Sequence, residues 1–265
     1  MPAQKVLFFA HQGGGFIAPE NTLQAFEHSL RYQPDALELD IQLTRDEEIV
    51  VMHDPLVDRT TNGKGLVSSY TWAELQQLDA GYHFTTDGGK TFPFRGTGVH
   101  ISLLRTIFER FPTKLINIDL KANDPVRERK LWELIQEFHA EKQVIVGSFY
   151  CKPIQRFRKL TNKAVATGAC PQEVMAFLLG HYTGAWKRLR PEYSALQVPI
   201  KQSGIPIVTA ASIQTAHNMG VAVHVWTINN SAEMDRLIQL GVDGVMTDRP
   251  DILRQRLDAE ENKKQ

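Results

Sequence analysis

Six polar clusters stand out along the chain, each at or near the end of an apolar run: His11-Gln12-Gly13, Glu38-Leu39-Asp40, His53-Asp54, Asp119-Leu120-Lys121, Ser148 and Trp226-Thr227. Glu38 and Asp40 are two residues apart, so on a strand their carboxylates share one face. With Asp119 they form a set of hard oxygen donors that suits Mg2+ or Ca2+ better than a metal seeking thiols or imidazoles. Burying three carboxylates without a cation is costly, and one or more would take up a proton. His11 and His53 exchange protons near neutral pH and can serve as general acid and general base. Gly13-Gly14-Gly15 lets backbone amides approach an anion such as a phosphate. Singly, each cluster has a plainer reading: a structural histidine, a solvated Glu-x-Asp pair, a flexible glycine loop, a packed Trp226. Their joint occurrence at strand ends points to a site.

Residues so far apart in sequence meet only if the fold gathers strand ends on one face. Short apolar runs fall at residues 6–10, 36–39, 49–52, 115–118, 144–146, 164–166, 196–198, 221–225 and 244–246. Unbroken runs of this kind suit strands buried on both faces, as in a parallel sheet. Helical spacing lies between many of them: Leu23, Phe26 and Leu30 after an Asn21 or Thr22 cap, Leu131 to Phe138, and Met234 to Leu240 closed by Gly241. The alternation predicts an α/β fold, a TIM (β/α)8 barrel, whose active site opens at the carboxyl ends of the strands. Two features resist an ideal barrel. There are nine runs for eight positions, and residues 41–48 are too few for a crossover helix. Residues 1–265 read as one barrel domain, with 58–98 an irregular insertion or lid that holds one short helix, capped by Thr71 and Glu74. The charged tail from Leu257 is expected to fray.

Composition excludes several classes. The 265 residues are 42% hydrophobic and 23% charged, as in an ordinary globular enzyme. Thirty Lys and Arg balance thirty Asp and Glu, which argues against a nucleic-acid binder and a polybasic membrane anchor. No run approaches the roughly 18 apolar residues of a membrane span, and the apolar stretch near Met1 is too short for a signal peptide. Cys151 and Cys170 are too few for a disulfide scaffold and fit a reducing compartment, so the expected location is cytoplasmic.

In order, His11-Gln12-Gly13, Pro19-Glu20-Asn21-Thr22, Glu38-Leu39-Asp40, Thr44-x-Asp46, His53-Asp54, Arg59-Thr60-Thr61, Ile118-Asp119-Leu120-Lys121, Gly147-Ser148-Phe149, Val225-Trp226-Thr227-Ile228-Asn229 and Thr247-Asp248-Arg249-Pro250 resemble the glycerophosphodiester phosphodiesterase family. The likeness runs from about Val6 to Ile252. It implies an (α/β)8 barrel with an insertion after the third strand motif. It also implies hydrolysis of glycerophosphodiesters to glycerol phosphate and an alcohol, assisted by a divalent cation. By the same resemblance Glu38, Asp40 and Asp119 match the metal carboxylates and His11 and His53 the acid and base. Gln12, Glu20, Lys121 and Trp226 match substrate-binding positions, for a small-molecule phosphodiester.

The chain departs from the family pattern twice. Gln12 stands where the family has Arg, exchanging a charged two-pronged phosphate contact for a neutral amide. Asp119 replaces Glu, shortening a ligand by one methylene. Asp87-Gly88-Gly89 and Phe94-Arg95-Gly96 resemble the branch with lysophospholipase D enzymes, which would need an apolar groove lined by Phe84, Phe92, Phe94 and Phe149. A third reading is a barrel that binds a phosphodiester with weakened catalysis.

Overall fold

A computed structural model describes residues 5–262. The first half runs β1 (Leu7–His11), α1 (Leu23–Ser29), β2 (Ala36–Leu43), β3 (Ile49–Val51), α2 (Trp72–Leu75), β4 (Ser102–Leu103), α3 (Leu104–Arg110), β5 (Leu115–Leu120), α4 (Pro125–Glu137), β6 (Val144–Gly147) and α5 (Cys151–Leu160). The second runs β7 (Ala166–Thr167), α6 (Pro171–Thr183), β8 (Ala195–Val198), β9 (Lys201–Gln202), β10 (Ile205–Pro206), α7 (Ala210–Asn218), β11 (Ala222–Val225), α8 (Ser231–Leu240), β12 (Gly244–Thr247) and α9 (Pro250–Asn262).

Eight parallel strands form the ring in the order β7-β6-β5-β2-β1-β12-β11-β8, and a bridge between Gly168 and Ala195 joins its ends. The ninth apolar run is β3, which lies outside the ring, antiparallel to β2 with Val51 opposite Ile41. That pairing explains why residues 41–48 are short: they turn a hairpin, for which no crossover helix is required. Strand β4 pairs in turn with β3. Between them residues 52–101 gather a small core of their own around Met52, Val57, Val67, Leu75, Ala80, Val99 and Ile101. Thr71 and Glu74 form the expected capping box on α2.

Alternation along each strand separates outside from inside. Outward-facing Leu37, Leu39, Ile116, Ile118 and Val146 are buried with α1, α3, α4 and α5 in one hydrophobic cluster. Leu196, Val198, Val223, Val225 and Val245 form a second cluster with α6, α7, α8 and α9. Inside the ring, Phe9, Ala36 and Met246 pack together. Beside them Gln197 donates to Asn117 at 2.6 Å, and His224 stands 4.9 Å from the Phe9 ring. Burial pushes the His224 imidazole down to about 4, so it is neutral core furniture and not a proton shuttle. The space inside is tight. A Cβ added to Gly244 would lie 2.7 Å from Phe9 and 2.9 Å from His224. Gly244→Ala is therefore expected to cost about 1–3 kcal/mol, read from the urea midpoint at unchanged m-value.

Thr22 caps α1, and Gly241 in the left-handed conformation ends α8. Two expectations are corrected. Residues 257–262 are helical, because Leu253 and Leu257 bury one face of α9 and Arg256 pairs with Asp235 at 2.7 Å. Residues 263–265 of the expected frayed tail lie outside the described residues, as do residues 1–4. Nor are the cysteines free: Cys151 at the start of α5 and Cys170 just before α6 form a disulfide, because both helices begin side by side at the same end of adjacent strands.

Candidate active site

The strand register brings the acids together. His11 pairs with Glu38 across β1 and β2, and Asp40 pairs with Asp119 across β2 and β5. After β1 the chain doubles back through Gln12 (φ 52°) and Gly13 (φ 81°), where an added Cβ would meet Ala25 at 2.7 Å. The sharp turn folds Gln12 under the acids. Its backbone N–H donates to Glu38 at 3.1 Å and its side-chain amide to Asp40 Oδ2 at 2.6 Å. Asn21 donates to the same oxygen at 2.9 Å. The Gln12 amide is thus spent on a carboxylate, where the family resemblance implies a phosphate contact.

Lys121 follows β5 and reaches back between two acids, 2.9 Å from Asp40 Oδ1 and 2.7 Å from Asp119 Oδ2. Burial opposes its charge, but Asp119 and Asp40 outweigh that and hold the ammonium above its usual range. Burial pushes Asp40 up too, yet the Lys121 charge with the Lys121 and Asn21 hydrogen bonds keeps it below the carboxylate norm. Asp119 and Glu38 go the other way: burial raises both, and the neighbouring acids add to it. The remaining Asp119 oxygen, Oδ1, is buried without a partner.

Each histidine is held by a carboxylate on Nδ1. For His11 the partner is Asp248 at 2.6 Å, itself gripped by Asn229 at 2.8 Å, and His11 Nε2 lies 3.7 Å from Glu38. His53, just past β3, meets Asp54 at 2.6 Å. Arg59 binds Asp54 at 2.6 Å and both Glu20 oxygens at 2.6 and 2.7 Å, so the Glu20 charge is fully used. Burial would lower the His11 pKa, but Glu38, Asp248 and Asp40 raise it to about 9. A raised folded-state pKa gives stability that is complete below the ordinary value of 6.5 and is lost as pH rises through about 9. The raised Glu38 acts in the same direction. The metal-free protein should become easier to unfold in urea across that window, and His11→Asn should flatten the slope. A stability that climbs with pH there would contradict the charged His11.

On the far side of Lys121, Phe149 lies 5.7 Å from its ammonium and meets Trp226 edge-on at 5.5 Å. Ser148 is structural, donating to the Leu120 carbonyl at 2.7 Å. The four candidate groove aromatics separate. Phe149 is at the mouth; Phe84 helps line a cleft of about 700 Å3 with Phe16, Ile17, Glu20 and Arg59. Phe94 packs edge-on against Phe84, and Arg95 stacks 3.8 Å over Phe92. Sequence reasoning gave no site role to Asp248, Asn229, Asp54 or Arg59, and offered Asn21 only as a helix cap. Asp248 had a visible signal, since it follows β12 as His11 ends β1; the others are distinguished only by their partners.

An α/β barrel with its reactive side chains collected at the strand carboxyl ends is the class these features define. Within it, the chain belongs to the glycerophosphoryl diester phosphodiesterase family, whose model matches residues 11–252. It is 34% identical over 254 residues to the glycerophosphodiester phosphodiesterase of Caldanaerobacter subterraneus subsp. tengcongensis, covering 94% of this chain and 96% of the relative. It is 28% identical to lysophospholipase D GDPD1 of Homo sapiens, covering 92% and 84% of the two chains. A phosphodiesterase of Oleispira antarctica, solved in complex with the product sn-glycerol-3-phosphate, shares the fold with a TM-score of 0.77 at 22% identity, over 96% and 97% of the chains. The glycerophosphoryl diester phosphodiesterase domain of a Mycobacterium tuberculosis protein does so with a TM-score of 0.84 at 19% identity, over 95% and 99%.

The donors fit the hard divalent cation that the family resemblance implies. Glu38, Asp40 and Asp119 offer only oxygen, and Asp119 Oδ1 is an acceptor lacking a donor. As the side chains stand, no three such groups among the described residues are gathered to hold an ion. Lys121 occupies the gap between Asp40 and Asp119 and pairs with one oxygen of each.

Proposed function

We propose that the protein hydrolyses glycerophosphodiesters to glycerol phosphate and an alcohol, with a Mg2+ or Ca2+ ion held by Glu38, Asp40 and Asp119. The observation that carries this reading is the pair of histidines, each tethered at Nδ1 by a carboxylate and close to a buried acid cluster, His11 beside Glu38 and His53 near enough for its charge to act on Asp40 and Asp119. Tethering at Nδ1 leaves Nε2 of each ring to handle a proton. His53, the more open of the two, takes the proton from a neighbouring glycerol hydroxyl as its oxygen attacks phosphorus. The bond from phosphorus to the alcohol breaks, and His11, charged between Asp248 and Glu38, gives its proton to the departing oxygen. Water then opens the cyclic phosphate with the two histidines in exchanged roles. The bound cation would polarise the phosphoryl oxygens and lower the pKa of the attacking hydroxyl.

Lys121 is positioned to turn from the acids to the phosphate once a cation takes over their charge, and Trp226 and Phe149 wall the site. Gln12 serves the phosphate indirectly, by holding Asp40. Glu20 and Arg59 form the wall towards the 700 Å3 cleft, within the range of about 300–1,000 Å3 that takes up a small organic ligand. That cleft favours a second reading, a lysophospholipase D acting on a phosphodiester with one acyl chain. Assays on glycerophosphocholine, glycerophosphoethanolamine and lysophosphatidylcholine, with and without Mg2+ or Ca2+, decide between the two. Choline release from glycerophosphocholine supports the first; release from the lysolipid alone supports the second; release from none rejects both. The activity does not fix a location. No helix among the described residues is long and apolar enough to cross a membrane, and the Cys151–Cys170 disulfide weakens the case for a reducing cytoplasm.

A further inference from the structure

The zero net charge of the whole chain conceals a lopsided segment. Residues 149–190, which span α5 and α6, contain eight Lys and Arg and a single carboxylate, Glu173. Arg156, Arg158 and Lys163 are tied to Glu128, Glu173 and Glu192. Lys152, Lys159, Lys187, Arg188 and Arg190 form no ion pair among the described residues. The same segment exposes apolar surface. Met175, Leu179 and Tyr182 are spaced so that they share one face of α6, and they are 64%, 67% and 62% exposed. Ile205 on the neighbouring hairpin is 54% exposed, and the Tyr182 hydroxyl donates to the carbonyl of Pro206 beside it. At the head of α5, Phe149 and Tyr150 are 57% and 51% exposed, and the Cys151–Cys170 bond fastens that lip to the start of α6.

Large apolar side chains in water, backed by unpaired cations, are complementary to one kind of surface: apolar below, negatively charged above. A nucleic acid would use the cations but gain nothing from Met175, Leu179 and Ile205. We propose that the α5–α6 flank docks the protein on an anionic lipid bilayer. The apolar side chains of α6 and the Phe149–Tyr150 lip enter the interface while Lys152, Lys187 and Arg188 face the headgroups. Docked this way, the enzyme brings its mouth to the level at which a lipid phosphodiester lies. That last step rests on the proposed activity; the docking does not.

The test is co-sedimentation of the full chain with vesicles of phosphatidylcholine alone, or containing about 30 mol% phosphatidylserine, at low and high salt. Glycerophosphocholine hydrolysis is measured on the same samples, so that a failure of the activity is seen separately from a failure of docking. The expected result is partition at least tenfold stronger on the anionic vesicles and weakened by salt. K187Q with R188Q should reduce it by about fivefold per charge removed. M175S with L179S should weaken it further while soluble-substrate turnover is unchanged. Both positions are already in water, so those variants are expected to fold, as circular dichroism would check. Equal partition on neutral and anionic vesicles, or none on either, overturns the proposal. So does a dimer seen by light scattering that dissociates in L179D, because the face is then covered by a second copy of the chain.

Discussion

Replacing either His11 or His53 by Ala is expected to lower kcat by about 10²–10⁴-fold, because each is assigned one of the two proton transfers. The two losses should differ in their pH signature. His11 is the assigned acid and must be charged to act, so the wild-type rate should fall on the alkaline side as its proton is lost. In His11→Ala the alkaline limb disappears, and a leaving alcohol of low pKa should recover much of the lost rate, since it departs without a proton. His53→Ala should keep the alkaline limb and respond little to the leaving group. Circular dichroism of both variants checks that the fold persists. A variant with wild-type turnover would show its histidine to be structural.

Removal of divalent ions is expected to abolish turnover, and Mg2+ or Ca2+, but not Na+ or K+, to restore it. The reason lies in the charges of the site. Four carboxylates, those of Glu38, Asp40, Asp119 and Asp248, face two cations, Lys121 and His11, and burial already raises Glu38 and Asp119. A divalent ion corrects that imbalance, and it should also raise the thermal midpoint. An ion at a hundred times its Kd adds about 2.7 kcal/mol. Calorimetry reads this without reference to catalysis. Full activity in thorough EDTA, or a midpoint indifferent to Mg2+ and Ca2+, would overturn the metal assignment.

Much of this site was legible because barrel strands announce themselves twice, as unbroken apolar runs and by the polar residues that stop them. His11, Glu38, Asp40, Asp119, Lys121 and Trp226 all stand at such stops. What stayed hidden depends on direction and distance. Strand β3 is as apolar and as buried as a ring strand, and burial does not reveal whether a strand runs parallel or antiparallel. Asp248 meets His11 across 237 positions of chain, a contact set by the pairing of the first strand with the last. Gln12 was read from its type as a weak phosphate contact, yet its left-handed backbone turns the amide onto Asp40. Leu257 was read from its charged neighbours, while its own burial decided that α9 continues. The α5–α6 charge excess vanished in a sum taken over the whole chain.

The ring is least continuous where its two ends meet. Strands β7 and β8 touch through one bridge, Gly168 to Ala195, and the two hydrophobic clusters outside the ring divide at the same place, with α5 on one side and α6 on the other. The Cys151–Cys170 bond lies beside that division and ties the exit of β6 to the exit of β7, joining α5 to α6. It closes a loop of 19 residues, a constraint worth roughly 3 kcal/mol in the chain-entropy account. In a thiol-rich solvent this clasp opens, and amide protons beside β7 and β8 would then exchange sooner than those of the β2–β5 ladder. The barrel is in this sense a rolled sheet pinned just beside its one loose seam.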